Sequence, residues 1–136
     1  MKPTKQEQQS LIELANEARR RAYAPYSNYR VGAALRTKSG RIFTGVNVEN
    51  AAYPTSICAE RTAVFKAISE GENDFEIIVV VTDNGGSPCG SCRQVLAEFG
   101  LETLVVLADG SGKVTLETTV GDLLPEAFQP KHLGKP

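Results

Sequence analysis

Two short runs, "FEIIVVVT" and "TLVVLAD", constrain the fold of this chain more than any other feature. Each is apolar at nearly every position, so neither shows the alternation of a strand with one wet face. Such runs suit strands buried on both faces of a sheet. Between them lies a segment of helical length, from Pro88 to Gly100. Strand, helix and strand in that order imply parallel pairing through a right-handed crossover.

The remaining segments extend this core. Thr4 and Glu7 form a capping-box pattern that opens a helix to about Tyr23, with Leu11, Leu14, Ala15, Ala18 and Ala22 on one face. Arg19, Arg20 and Arg21 close it, where cations suit the negative end of the helix dipole. "RVGAALRT" and "RIFTGVNVEN" read as a hairpin turning at Lys38-Ser39-Gly40. A second helix is expected from about Ile57 to Glu70, ending at Gly71, and "KVTLETT" reads as an edge strand. The expectation is one domain over residues 1–136, an α/β/α sandwich with a mixed sheet of about five strands and helices on both faces. Residues 129–136, "QPKHLGKP", read as a tail, poorly ordered or available to a neighbour.

Composition narrows the function. Fifteen basic and 16 acidic residues leave a formal net charge of −1, so overall charge makes no case for nucleic acid or a membrane surface. The polar start "MKPTKQEQQS" does not read as a signal peptide, and no run approaches membrane-spanning length. A cytoplasmic protein is expected, where thiols stay reduced. In that setting the three cysteines, Cys58, Cys89 and Cys92, point to metal or catalysis rather than a disulfide.

Cys89 and Cys92 are three apart at the start of a predicted helix, so their sulfurs share one face of its first turn. Cys58 stands at the matching place of the preceding helix. Helix N-termini favour thiolates, and three thiolates suit zinc. Two arrangements follow. A structural zinc would be closed by a fourth protein ligand, and His132 is the one histidine available. A catalytic zinc keeps three ligands and an open position. His132 lies in the tail, outside any element that would fix it, which favours the open arrangement. Glu60 strengthens this reading, because its carboxylate can reach the open position and carry a proton.

"CAERTAVFKAISEG" and "PCGSCRQVL" together resemble the zinc-dependent cytidine deaminases, in their small three-cysteine class. The likeness extends from "APYSNYRVGAAL" through "GVNVENAAYPTSICAERTA" to "VGDLLPEAF". It implies one zinc per subunit on Cys58, Cys89 and Cys92, with Glu60 as proton shuttle. It implies that Asn47 and Glu49 of "NVEN" bind the sugar 3′-hydroxyl, and that the backbone around Ala59 and Cys89 meets the pyrimidine edge. It places Tyr53 and Phe128 among aromatics at sites shared within a homotetramer. Tyr29 stands where the family commonly has Phe, so its ring can pack on the base while its hydroxyl needs a partner. Arg61 can donate to the cysteine sulfurs and offset the negative charge of three thiolates around one zinc. The expected activity is deamination of cytidine and 2′-deoxycytidine in pyrimidine salvage, with no nucleic-acid or membrane partner. Alternatives are a deaminase of a nucleoside antibiotic such as blasticidin S or of a base within nucleic acid, and a non-enzymatic zinc-stabilised binding module.

Overall fold

In the computed structural model, which describes residues 2–135, five strands form one sheet in the order β2-β1-β3-β4-β5. In chain order the elements are α1 (Lys5–Arg19), β1 (Gly32–Thr37), β2 (Ile42–Val46), α2 (Ala59–Ser69), β3 (Phe75–Val81), α3 (Gly90–Glu98), β4 (Leu104–Ala108), β5 (Val114–Thr119) and a single-turn α4 (Val120–Leu123). The two apolar runs are β3 and β4, and they pair in parallel, Ile77 opposite Leu104. All other pairings between these strands are antiparallel, including the β1–β2 hairpin and the edge strand β5.

Alternate side chains along a strand point to opposite faces, and both faces here are covered. Ala34, Ile77 and Val79 pack with Leu11, Ile12 and Ala15 of α1. Ala33, Leu35, Ile78 and Val80 pack with Ala59, Ala63 and Val64 of α2 and with Leu96 of α3. The α/β/α sandwich expected from the sequence is therefore the observed architecture.

Strand direction sets the site. β2 and β3 both run antiparallel to β1, and their last residues, Val46 and Val81, both pair with Gly32. The chain therefore leaves both strands at the same edge of the sheet, and there α2 and α3 begin. Helix α2 lies so close to β2 that a Cβ on Gly45 would stand 2.5 Å from the Ala59 carbonyl oxygen and 2.5 Å from the Ala63 nitrogen.

The Thr4–Glu7 capping box is present, but α1 ends at Arg19, four residues before Tyr23. Tyr23 instead bridges to Val48, its N–H donating to the Asn47 carbonyl at 3.0 Å. On the apolar face of α1, Ile12 is buried while Leu14 is 40 % exposed. Leu14 sits at the rim of the stripe centred on Leu11, Ala15 and Ala18. The C-terminal segment carries a 3-10 turn at Pro130–Leu133, where the sequence suggested poor order; Pro136 lies outside the described residues.

Candidate active site

Cys58 and Cys89 are the N-caps of α2 and α3. The unpaired amides of a helix N-terminus hold partial positive charge there. Cys92, one turn into α3, is fully buried. The Cys58 and Cys89 sulfurs are 3.8 Å apart, those of Cys89 and Cys92 are 3.4 Å apart, and all three lie within 4.8 Å of one another. Tetrahedral zinc, with Zn–S bonds of about 2.3 Å, separates its sulfurs by about 3.8 Å. The thiol cup thus fits zinc in both chemistry and spacing. It is the one metal-competent group of His, Cys, Asp and Glu among the described residues. His132 is absent from it; its Nδ1 accepts the Gln129 amide at 2.9 Å within the C-terminal turn.

The protons of the cup are unequally held. The Cys58 thiol is drawn down to about 5, first by the hydrogen bond with Cys92 and then by Arg61. Cys92 is pushed up by the same bond and by burial. The Arg61 guanidinium donates to Cys58 Sγ from Nη2 at 3.3 Å, and that bond holds Arg61 firmly protonated. Its Nε is buried without a partner, so the group is oriented by the sulfurs alone among the described residues.

Glu60 is 4 % exposed in the first turn of α2. Burial pushes its carboxyl up to about 7, and the charge on Cys58 adds to the push, against the local helix amide and Arg61. A carboxyl that exchanges protons near neutral pH suits general acid–base work.

In front of the cup opens a cavity of about 560 Å³. Cys58, Glu60, Arg61 and Cys89 line it together with Tyr29, Asn47, Glu49 and Tyr53. Ala59, the first residue of α2, is fully buried beside it. Phe128 is not brought to the cavity. It is 55 % exposed in a separate groove near Phe99, its carbonyl held by Gln94 Nε2 at 2.9 Å.

Several positioning groups escaped sequence reasoning. Ser27 Oγ donates to Glu49, which also accepts the Tyr26 and Ser27 amides at 2.9 and 3.1 Å. These bonds, the Ser27 hydroxyl foremost, hold the Glu49 carboxyl below its usual range. Asn47 is locked by the Val31 amide at 2.9 Å and the Tyr29 carbonyl at 2.8 Å. Arg93 donates to the Pro88 carbonyl, the Ser87 hydroxyl and the Leu123 carbonyl, bracing the segment before Cys89. Its position directly after "CGSC" was the one available signal.

A three-thiol zinc cup with a buried carboxyl beside it, on an α/β/α sandwich, defines a metal-dependent enzyme of the deaminase type. Residues 5–108 match the family model described as the cytidine and deoxycytidylate deaminase zinc-binding region, and the chain belongs to this family. It is 48 % identical over 128 residues to a cytidine deaminase of Sporosarcina psychrophila, covering 92 % of this chain and 93 % of that one. The crystal structure of cytidine deaminase from Burkholderia pseudomallei superposes with a TM-score of 0.85 at 49 % identity, covering 93 % of this chain and all of that one. A blasticidin-S deaminase of Bacillus cereus is 32 % identical over 130 residues, covering 88 % and 91 %.

Proposed function

We propose that the chain is a zinc-dependent cytidine deaminase, converting cytidine or 2′-deoxycytidine and water to the uridine nucleoside and ammonia. One observation carries the reading: a cluster of three thiols at zinc spacing, two of them facing the cavity, shares that cavity with the buried Glu60 and with Asn47 and Glu49. When bound, zinc supplies the Lewis acidity that makes water nucleophilic near neutral pH. Glu60 accepts the proton that water loses and delivers it to N3 of the base as the water oxygen adds to C4. It then takes the remaining hydroxyl proton and hands it to the amino group, which leaves as ammonia. Arg61 offsets the negative charge that three thiolates place around one zinc. Asn47 and Glu49 keep spare hydrogen-bonding capacity beyond the contacts that lock them, and so can grip the sugar hydroxyls. Tyr29 packs on the base, and the amides around Ala59 and Cys89 meet its edge.

Residues 1–136 act as one catalytic domain in the cytoplasm, with no nucleic-acid or membrane partner. No described helix is long and apolar enough to cross a membrane. We read the active form as a homotetramer with shared sites. Tyr53 at 71 % exposure and Phe128 at 55 % support this, as aromatics that a neighbour would cover. Mixing inactive Glu60→Ala subunits with Phe128→Ala subunits would restore part of the activity if sites are shared. A fully active monomer by light scattering would remove that part of the reading.

An ultraviolet assay with cytidine, 2′-deoxycytidine, cytosine and blasticidin S tests the function. Loss of absorbance with the two nucleosides and little with cytosine is expected. Turnover of blasticidin S alone would move the chain to the antibiotic-deaminating relatives.

A further inference from the structure

The hydroxyl of Tyr29 has a definite place in the structure. The hydroxyl donates to Asn84 Oδ1 at 2.8 Å. Asn84 belongs to the loop between β3 and α3, which ends at Cys89. The Thr82 hydroxyl approaches the same Asn84 oxygen at 3.4 Å and accepts the Gly86 amide at 2.7 Å. A Cβ on Gly86 would stand 2.7 Å from the Tyr29 hydroxyl and 3.4 Å from Asn84 Oδ1, so the hydroxyl occupies space that only glycine leaves open. The backbone of Tyr29 is tied to the residues around Asn47 and Glu49. Its carbonyl accepts Asn47 Nδ2 at 2.8 Å, and its amide donates at 3.0 Å to the Ser27 hydroxyl that holds Glu49.

We infer that the Tyr29 hydroxyl, received by Asn84 over Gly86, is a strut that sets the distance between the Asn47–Glu49 wall and the loop delivering Cys89. Tyr29 is thereby a positioning residue for the nucleoside, beyond the packing its ring provides. The bond lies near the surface, so its loss is felt as a looser fit rather than a collapse. The inference rests on the nucleoside-deaminating reading above for its kinetic consequence, but the strut itself is measurable without turnover.

Tyr29→Phe removes the hydroxyl and keeps the ring. In the zinc-loaded enzyme KM for cytidine should rise about fivefold, the effect of one ordinary hydrogen bond, with kcat changed less than about twofold. Asn84→Ala should give a similar rise, and the double variant no more than either alone, since both remove one bond. Gly86→Ala supplies a reversal. In the parent chain its methyl group displaces the hydroxyl and should raise KM, whereas on the Tyr29→Phe background the same change should be close to neutral. Amide hydrogen exchange at Gly86, measured on zinc-loaded protein without substrate, should be about fivefold faster in Tyr29→Phe. Additive losses for Tyr29→Phe and Asn84→Ala, or unchanged Gly86 exchange in Tyr29→Phe, would overturn the strut. Absence of turnover in the parent chain would overturn the deaminase reading instead, and Gly86 exchange would still decide on the strut.

Discussion

The two groups of residues that line the cavity, those around the thiol cup and those around Asn47 and Glu49, are built by different means. On the metal side, Cys92 and Glu60 are buried, and directly behind them Ala59, Ala63 and Val64 belong to the main core. In the other group, Glu49 and the buried Asn47 are held by hydrogen bonds from the amides of Tyr26, Ser27 and Val31, and the aromatics Tyr26 and Tyr53 meet edge-on at 6.0 Å while largely exposed. Close-packed burial fixes atoms tightly, because a core has few alternative arrangements. Loop hydrogen bonds near solvent are individually modest and yield more easily. The difference matches two tasks. Proton transfer and metal binding tolerate little displacement, whereas a site that admits and releases a nucleoside must open.

Four changes probe this contrast. The deepest should be Glu60→Gln, which keeps shape and removes the ionisable carboxyl. We expect kcat to fall by about 10³-fold or more, with zinc content unchanged by metal analysis. A variant retaining a large share of the parent rate would leave the proton without a carrier on this wall. Next, Gly45→Ala attacks the metal wall from behind, since its methyl group would press on the Ala59 carbonyl and Ala63 backbone. Overpacking costs about 1–3 kcal/mol of stability. A helix shifted by about 1 Å also misplaces Glu60, for about 10²-fold in kcat; thermal melting and kinetics read both.

The sugar wall should fail more gently and more selectively. Asn47→Ala is expected to lower kcat/KM for cytidine by about 10- to 100-fold, the scale of one or two hydrogen bonds, while barely affecting free cytosine. Equal losses on both compounds would show that Asn47 serves the fold of the Tyr26–Val31 segment rather than the sugar. The smallest effect belongs to His132→Ala. Its Nδ1 is engaged with the Gln129 amide, away from the thiols. Activity and zinc content should stay within about twofold of the parent, as for surface changes far from a site; loss of zinc would restore the closed structural site.

The same contrast explains what could be read from the sequence. The runs that became β3 and β4 were legible because burial on both faces demands apolar residues at consecutive positions. The cysteine cup was legible because few residue types bind zinc and their spacing reports a helix turn. Residues such as Ser27 and Asn84 left no such mark. Their roles depend on partners distant in sequence, as with Tyr29 and Asn84, 55 positions apart. Polar loop residues have no periodicity that would betray the pairing. The overlong reading of α1 has a related cause: Arg20, Arg21 and Ala22 are good helix formers, and the bridge from Tyr23 to Val48 ends the helix from outside.

The thiol cup also bears on how the chain folds. It joins residues 31 positions apart, Cys58 and Cys89, across the β3 crossover. A cation held by both binds the folded chain, where the ligands are gathered, better than the unfolded chain, where they are scattered, so its binding adds to folding stability. Zinc removal should therefore lower the melting temperature as well as the turnover. Under chelation the start of α3 should be the first element to loosen, since Cys89 caps that helix and Cys92 anchors its first turn.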